Sequence, residues 1–311
     1  MSTEVSFDAL LPPAMAAKAE DLGVKKANLG AANMFVLAIL AGAFIAMGAI
    51  FATTVSAGSI TVNAADGAAA FKTGLPYGVV RLLTGLVFTL GLILVIVGGS
   101  ELFTGNNLIV MAFSSGKVTF NALMRNWAIV YTGNFVGSIL TAYIMLLGKQ
   151  YTFGSGAIGL TALSIGEAKT SLDFMQAVAL GMMCNALVCM AVWLCYSART
   201  TTDKILAIIP PISAFVAAGF EHSVANMYFI PIALLIKDFG DPKFFEAIGR
   251  TAADFPHLTW GNFFIANLLP VTIGNIIGGA VMVGLIYWFV YLRKPKVTVP
   301  SPQPGVAPGS K

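Results

Sequence analysis

Asn126-x6-Gly133-Asn134-x2-Gly137 recurs in this chain as Asn267-x6-Gly274-Asn275-x2-Gly278, every position displaced by 141 residues. Both copies lie in long apolar stretches. Gly42 and Gly181 repeat at nearly the same offset, 139, and Asn107-Leu108 finds a looser echo in Asn226-Met227 at 119. Segments of the first half thus match segments of the second in the same order. If each half holds three membrane spans, an odd number, the second half must insert upside down relative to the first. Inverted repeats of that kind build transporters and channels whose permeation site lies near the bilayer midplane, between the halves.

Composition supports the membrane reading. Hydrophobic residues make up 57% of the 311 and charged residues 10%, with a mean hydropathy of +0.83; a soluble chain carries about 25% charged residues. A spanning helix needs roughly 20 mostly apolar residues, and six stretches qualify, near 33–56, 78–112, 126–148, 174–197, 204–236 and 260–292. They leave no room for a soluble catalytic domain. The organisation read from this is a cytoplasmic N-terminal amphipathic segment at 1–32, a six-span domain at 33–292 with repeats 33–148 and 174–292, and a proline-rich, disordered cytoplasmic tail at 293–311. With the N-terminus in the cytoplasm, eleven of the 18 Lys and Arg fall on that side, which favours both termini inside. Residues 1–30 carry Glu4, Asp8, Glu20 and Asp21 and have no apolar core of a signal peptide.

Of the 14 acidic residues, only Glu101 and Glu221 sit deep in apolar sequence. A charge at mid-membrane costs at least about 2.5 kcal/mol, so each is expected to face a cavity or a protein partner. They belong to Gly98-Gly-Ser-Glu-Leu-Phe-Thr-Gly-Asn-Asn107 and Ala218-Gly-Phe-Glu-His-Ser-Val-Ala-Asn226. Aligning Asn107 with Asn226 puts Thr104 on Ser223 and leaves the glutamates one position out of step. Glycine, hydroxyls and Asn inside an apolar run predict helices two and five broken in the middle. Non-helical backbone is tolerated at that depth only where it is buried in protein or lines a path. Kinked helices with Glu capping the freed backbone would be the simpler account, and anchoring of the loops is the expected task of both glutamates.

His222 lies inside the second break. Its ordinary pKa of about 6.5 lets an imidazole change charge near neutrality, and its place at a symmetric break points to the pore. His257, the other histidine, falls in a charged loop where a solvated role is the default. Cys184, Cys189 and Cys195, spaced by five and six, match no zinc or redox pattern and read as helix packing residues. No metal site or cofactor is expected, no nucleic-acid partner, and no enzyme activity: one buried His and two Glu in separate segments provide neither a nucleophile with its base nor a metal cluster.

At these segments the chain resembles the formate/nitrite transporter family, and within it the formate channels. The resemblance rests on Gly99-Ser-Glu-Leu-Phe-Thr-Gly105, Cys184-Asn-Ala-Leu-Val-Cys189, Gly219-Phe-Glu-His-Ser-Val-Ala-Asn-Met227, Pro270-Val-Thr-Ile-Gly-Asn-Ile-Ile-Gly-Gly279 and the opening Phe7-Asp-Ala-Leu-Leu-Pro12. It runs from about Phe7 to Arg293. It implies an all-α, aquaporin-like fold of six transmembrane helices in two inverted three-helix repeats. It also implies a homopentamer with one pore per protomer and a lipid-filled central hole, in the bacterial cytoplasmic (inner) membrane.

By the same resemblance Thr104 and His222 face one another at the pore centre, with Asn185 hydrogen-bonding near them. Phe88 and Phe215 form an outer constriction, Leu92, Leu102, Phe103 and Val188 an inner one, and Asn275 holds the second break. Lys169 outside and Lys26 inside attract anions. Ala186 stands where formate channels carry a bulkier apolar residue, and the loop from Val62 to Lys72 is longer than usual, so fine selectivity stays open. The implied function is pH-dependent passage of formate, with His222 as proton donor or charge compensator. Nitrite or hydrosulfide is the alternative, and a neutral-solute channel a more distant one, although no Asn-Pro-Ala box is present.

Overall fold

The computed structural model describes residues 8–57 and 75–293. The stretch from Val62 to Lys72 and the tail expected at 293–311 lie outside the described residues, apart from Arg293 itself. Every regular element described is helical. An N-terminal helix α1 (Pro12–Ala27) precedes α2 (Ala31–Ser56) and α3 (Tyr77–Gly98). A half-length helix, α4, follows over residues 103–114, tightened by a 3-10 turn at Asn107–Ile109, and then α5 (Phe120–Leu147). The second half repeats the series with α6 (Ala157–Thr170), α7 (Phe174–Ser197), α8 (Thr201–Ala218) and the half-helix α9 (Ser223–Phe239). After a short α10 (Pro242–Ile248) it closes with α11 (Trp260–Tyr291). Among the described residues six helices are long and apolar enough to cross a membrane: α2, α3, α5, α7, α8 and α11.

Each half is therefore one short helix followed by three spans, the middle one interrupted. The apolar pattern did not announce α6, which is too short and too polar to read as a span. It is the counterpart of α1. Within each half the first and third spans cross with their backbones in contact. A methyl group at Gly137 would overlap the Ile39 carbonyl, and one at Gly278 the Met182 carbonyl. Two helices approach that closely only through small residues, the usual device where no water drives helices together. α11 carries two π-helical stretches, Phe263–Leu268 and Ile277–Leu285. They flank Pro270, which lacks the N–H a regular turn would use.

The two interruptions share one geometry. Gly99 ends α3 at φ 80°, and Gly219 ends α8 at φ 79°. That left-handed conformation suits glycine and closes the helix by turning the chain back on itself. The next N–H bonds reach back to Val95 O from Ser100 (3.0 Å) and to Phe215 O from Phe220 (3.0 Å). The correct superposition of the breaks is thus 120 residues rather than the 119 that pairing Asn107 with Asn226 suggested. Glu101 matches Glu221, Leu102 matches His222, and Asn106, not Asn107, matches Asn226. A one-residue slip is invisible in a short apolar run but is settled once the glycine turns are seen.

Candidate functional site

Backbone freed by each break is held by an asparagine from the third span of the same half. Asn134 Oδ1 accepts from Phe103 N (2.9 Å), and its Nδ2 donates to Ala38 O (2.8 Å) and Glu101 O (2.9 Å). Asn275 Oδ1 accepts from Ser223 N (2.9 Å), and its Nδ2 donates to Gly181 O (2.8 Å) and Glu221 O (2.9 Å). One side chain thus links the break to two spans and replaces hydrogen bonds that the broken helix has lost. These are the second asparagines of the two copies of the repeated pattern, and Asn134 was legible there though only Asn275 was assigned the task.

Each break also carries a quartet. On one side Lys26 Nζ donates to Glu101 Oε1 (2.7 Å), and Asn106 Nδ2 to Glu101 Oε2 (2.7 Å) and Asn126 Oδ1 (2.9 Å). Asn126 Nδ2 closes the ring on the Lys26 carbonyl (3.1 Å). On the other side Lys169 Nζ donates to Glu221 Oε1 (2.7 Å), and Asn226 Nδ2 to Glu221 Oε2 (2.7 Å) and Asn267 Oδ1 (2.8 Å). Asn267 Nδ2 bonds the Lys169 carbonyl (2.9 Å). The lysines come from α1 and α6, which explains why each half needs its short helix. Lys26 and Lys169 are expected at the two mouths as attractors of anions. Each is instead the partner of a buried carboxylate, its charge offset at hydrogen-bond distance. The quartets differ in detail: Lys26 Nζ also donates to Asn106 Oδ1 (3.0 Å), whereas Asn226 Oδ1 is buried without a partner and Asn267 Nδ2 adds a bond to Glu221 Oε2 (3.3 Å).

Two vestibules approach the breaks from opposite ends. A cavity of about 460 Å³, the outer one in the orientation used here, is lined by Arg81, Thr84, Phe88, Lys169, Phe215, Glu221 and His222 among others. One of about 390 Å³, the inner, is lined by Lys18, Lys26, Leu92, Glu101, Leu102, Val192 and Lys204 among others. Between them the protein is packed. Thr104 is fully buried and His222 is 3% exposed. Thr104 Oγ1 lies 3.2 Å from His222 Nε2, joining the two breaks across the midline. The Phe215 ring stacks beside the imidazole at 5.9 Å, and Phe88 meets Phe215 edge-on at 5.8 Å.

The imidazole's other nitrogen is engaged too. His222 is the N-cap of α9, and its Nδ1 accepts from Ala225 N (3.0 Å). A nitrogen that accepts a backbone N–H carries no proton, so the cap assigns the neutral tautomer with its hydrogen on Nε2, facing Thr104. A second proton would have to enter at Nδ1 and displace the Ala225 N–H.

Two residues expected at the constrictions line neither vestibule, and a third, Asn185, is beside Thr104 as expected but has its amide engaged. The Phe103 ring packs against Tyr131 (4.9 Å) and Trp127 (6.0 Å) and lines neither vestibule. Val188 is buried in the core and also lines neither. Asn185 lies beside Thr104, but its Nδ2 is committed to the Asn275 carbonyl (2.7 Å), Asn107 Oδ1 (2.9 Å) and the Thr104 carbonyl (3.3 Å). It ties α4 and α11 to α7 rather than presenting a free amide. Val192, one helical turn further along α7, lines the inner vestibule. Among the described residues no cluster of His, Cys, Asp or Glu has the arrangement of a metal site.

The arrangement is two vestibules with charged residues in their walls, separated by a packed septum where one hydroxyl meets one imidazole. Comparison with known proteins agrees with it. A family model described as formate/nitrite transporter matches residues 13–289. The formate channel FocA of Escherichia coli (strain K12) is 44% identical over 294 residues, 94% of this chain and 99% of that one. The formate channel FocA of Haemophilus influenzae is 39% identical, covering 91% and 95%. A solved structure described as a pentameric formate channel with formate bound superposes with a TM-score of 0.75 at 46% identity, over 85% of this chain and 98% of that one. A second, an FNT family ion channel, gives 0.72 at 29% identity, over 89% and 98%.

Proposed function

The chain belongs to the formate/nitrite transporter family, and from that premise we propose that it passes formate across a bacterial cytoplasmic membrane, one pore per protomer. The observation that carries the proposal is the septum: Thr104 and His222 in contact at 3.2 Å, buried between two vestibules. An anion cannot enter an apolar constriction without losing its hydration, whereas the neutral acid can. Formate at the septum therefore needs a hydrogen-bond donor and a means of charge compensation. The Nε2–H of His222 and the hydroxyl of Thr104 are the donors, and protonation of His222 supplies the charge.

Because Nδ1 caps α9, protonation and the first turn of that half-helix are coupled. The imidazolium forms only as the ring releases Ala225 N. Permeation is then pH-dependent by construction, with import favoured at acid pH. The formate-bound relative supports a pentamer of this chain as well. Lys18 of α1 donates to the Tyr196 carbonyl and Trp288 of α11 reaches Ser115, which supports one shared face for α1 and the end of α11; the bias of Lys and Arg supports reading that face as cytoplasmic.

The test is flux in proteoliposomes with labelled formate, nitrite and hydrosulfide at several pH values. Formate carried faster than the other two, with a pH dependence, is the expected result. Preference for nitrite or hydrosulfide would move the chain to a different branch of the family.

A further inference from the structure

Ion pairing at the breaks leaves open which groups attract an anion to the vestibules. With Lys26 tied to Glu101 and Lys169 to Glu221, each at 2.7 Å, those two lysines contribute little net field. Counting the charged residues that line each cavity, the outer vestibule keeps one net positive charge, on Arg81, and the inner keeps two, on Lys18 and Lys204. Among the described residues no carboxylate forms an ion pair with any of the three. Arg81 is held by carbonyls: its Nε donates to Ala217 O (3.1 Å) and its Nη2 to Val216 O. Those are carbonyls at the C-terminal end of α8, where a cation is favoured. Among the described residues two of its five N–H groups are used, which fixes the guanidinium in place. On the inner side Lys18 Nζ donates to the Tyr196 carbonyl (2.7 Å). Its ammonium is held below the ordinary value by burial first, and then by the positive charges of Lys204 and Arg199. A cluster of mutually repelling cations is what an unneutralised site looks like.

We propose that Arg81 in the outer vestibule and Lys204, with Lys18, in the inner one are the anion-concentrating residues of this pore. The inference rests on the anion-channel reading above. Low-dielectric walls focus the field of such charges and raise the local concentration of a small anion. Arg81 sits on the first repeat and caps the broken helix of the second, so it also steadies the turn that carries His222. Its charge and its fork are separable by substitution.

The experiment measures formate influx against concentration in neutral-lipid proteoliposomes, for the wild type, Arg81→Gln, Arg81→Lys and Lys204→Gln. Each is assayed at about 10 mM and about 150 mM salt, between which the Debye length falls from roughly 30 Å to roughly 8 Å. A lost focusing charge raises the KM for formate and leaves the maximal rate unchanged. The expected rise is about three- to tenfold at low salt for Arg81→Gln and for Lys204→Gln, shrinking at high salt. Arg81→Lys should keep the wild-type KM. Unchanged KM in both Gln variants at low salt overturns the proposal. So does a fall in maximal rate, independent of salt and shared by Arg81→Lys, which would make Arg81 a structural cap alone. Absence of formate flux in the wild type would instead overturn the transport reading on which this one rests.

Discussion

Leu102 and His222 occupy the same position in the two halves of the molecule. Each is the residue before a restarting half-helix, at φ −109°, ψ 124° and φ −109°, ψ 113°. Each is followed at the same distance by the asparagine of its quartet, Asn106 or Asn226. The backbone is symmetric; the chemistry is not. Leu102 lines the inner vestibule with an apolar side chain, and His222 faces the outer one with an imidazole. The scaffold thus provides two equivalent positions, and the residue at each puts an alkyl side chain on one and an imidazole on the other.

His222→Asn separates the two tasks of that residue. Asn is among the best N-cap residues, so α9 should keep its first turn and the pentamer should survive size-exclusion chromatography. Uptake of formate at acid pH and the pH dependence of flux should be lost, because Asn does not titrate. His222→Phe should lose the same transport behaviour and about 1 kcal/mol of cap as well. Wild-type pH dependence in a pentameric His222→Asn would make the imidazole purely structural.

Leu102→Ala or Leu92→Ala should open the inner side of the septum. Both residues line the inner vestibule and are buried. Shortening either should raise the flux of acetate and larger acids relative to formate. Competition between labelled formate and unlabelled homologues reads this directly, and unchanged ratios would place the size filter elsewhere.

Lys169→Gln should damage stability before it damages anion capture. The Glu221 side chain is 6% exposed, and its ammonium partner sits 2.7 Å away. Removing one member of a buried pair strands the other and costs about 3 to 5 kcal/mol. The pentamer should melt markedly lower, and adding Glu221→Gln should restore much of the loss. A Lys169→Gln channel of unchanged melting temperature and weaker formate affinity would return Lys169 to the role of a free attracting charge.

Gly278→Ala should prevent assembly. The added methyl overlaps the Met182 carbonyl where α7 and α11 cross, and backbone at both ends of that clash leaves no flexible group to yield. The expected readout is loss of the pentamer peak in detergent. Gly78→Ala, whose methyl would meet nothing within 4 Å, is the control.

Much of this is legible in the order of residues. Asn134 and Asn275 stand in a repeated pattern because each bonds the backbone of a broken helix, and the breaks showed as polar residues stranded in apolar runs. His222 and Thr104 were expected to meet, and they lie 3.2 Å apart. The 120-residue register was missed because hydroxyl and Asn matches in a short segment tolerate a slip of one, while hydrogen bonds from Asn106 and Asn226 to their glutamates do not. Phe103 is expected in the constriction, but its ring packs against Tyr131 and Trp127, a direction that residue order alone does not fix.

Six spans, their inverted pairing and the two interruptions follow from the order of apolar and polar residues, because a bilayer admits few solutions for a chain so short of charge. Where charge is left over does not follow from that order. Lys26 and Lys169 read along the chain as cations at the two mouths, and only the packing of α1 and α6 against the breaks turns each into the counter-ion of a buried glutamate. The net field then falls to Arg81, Lys18 and Lys204, because a charge acts on a permeating anion only to the extent that its own surroundings have not already neutralised it.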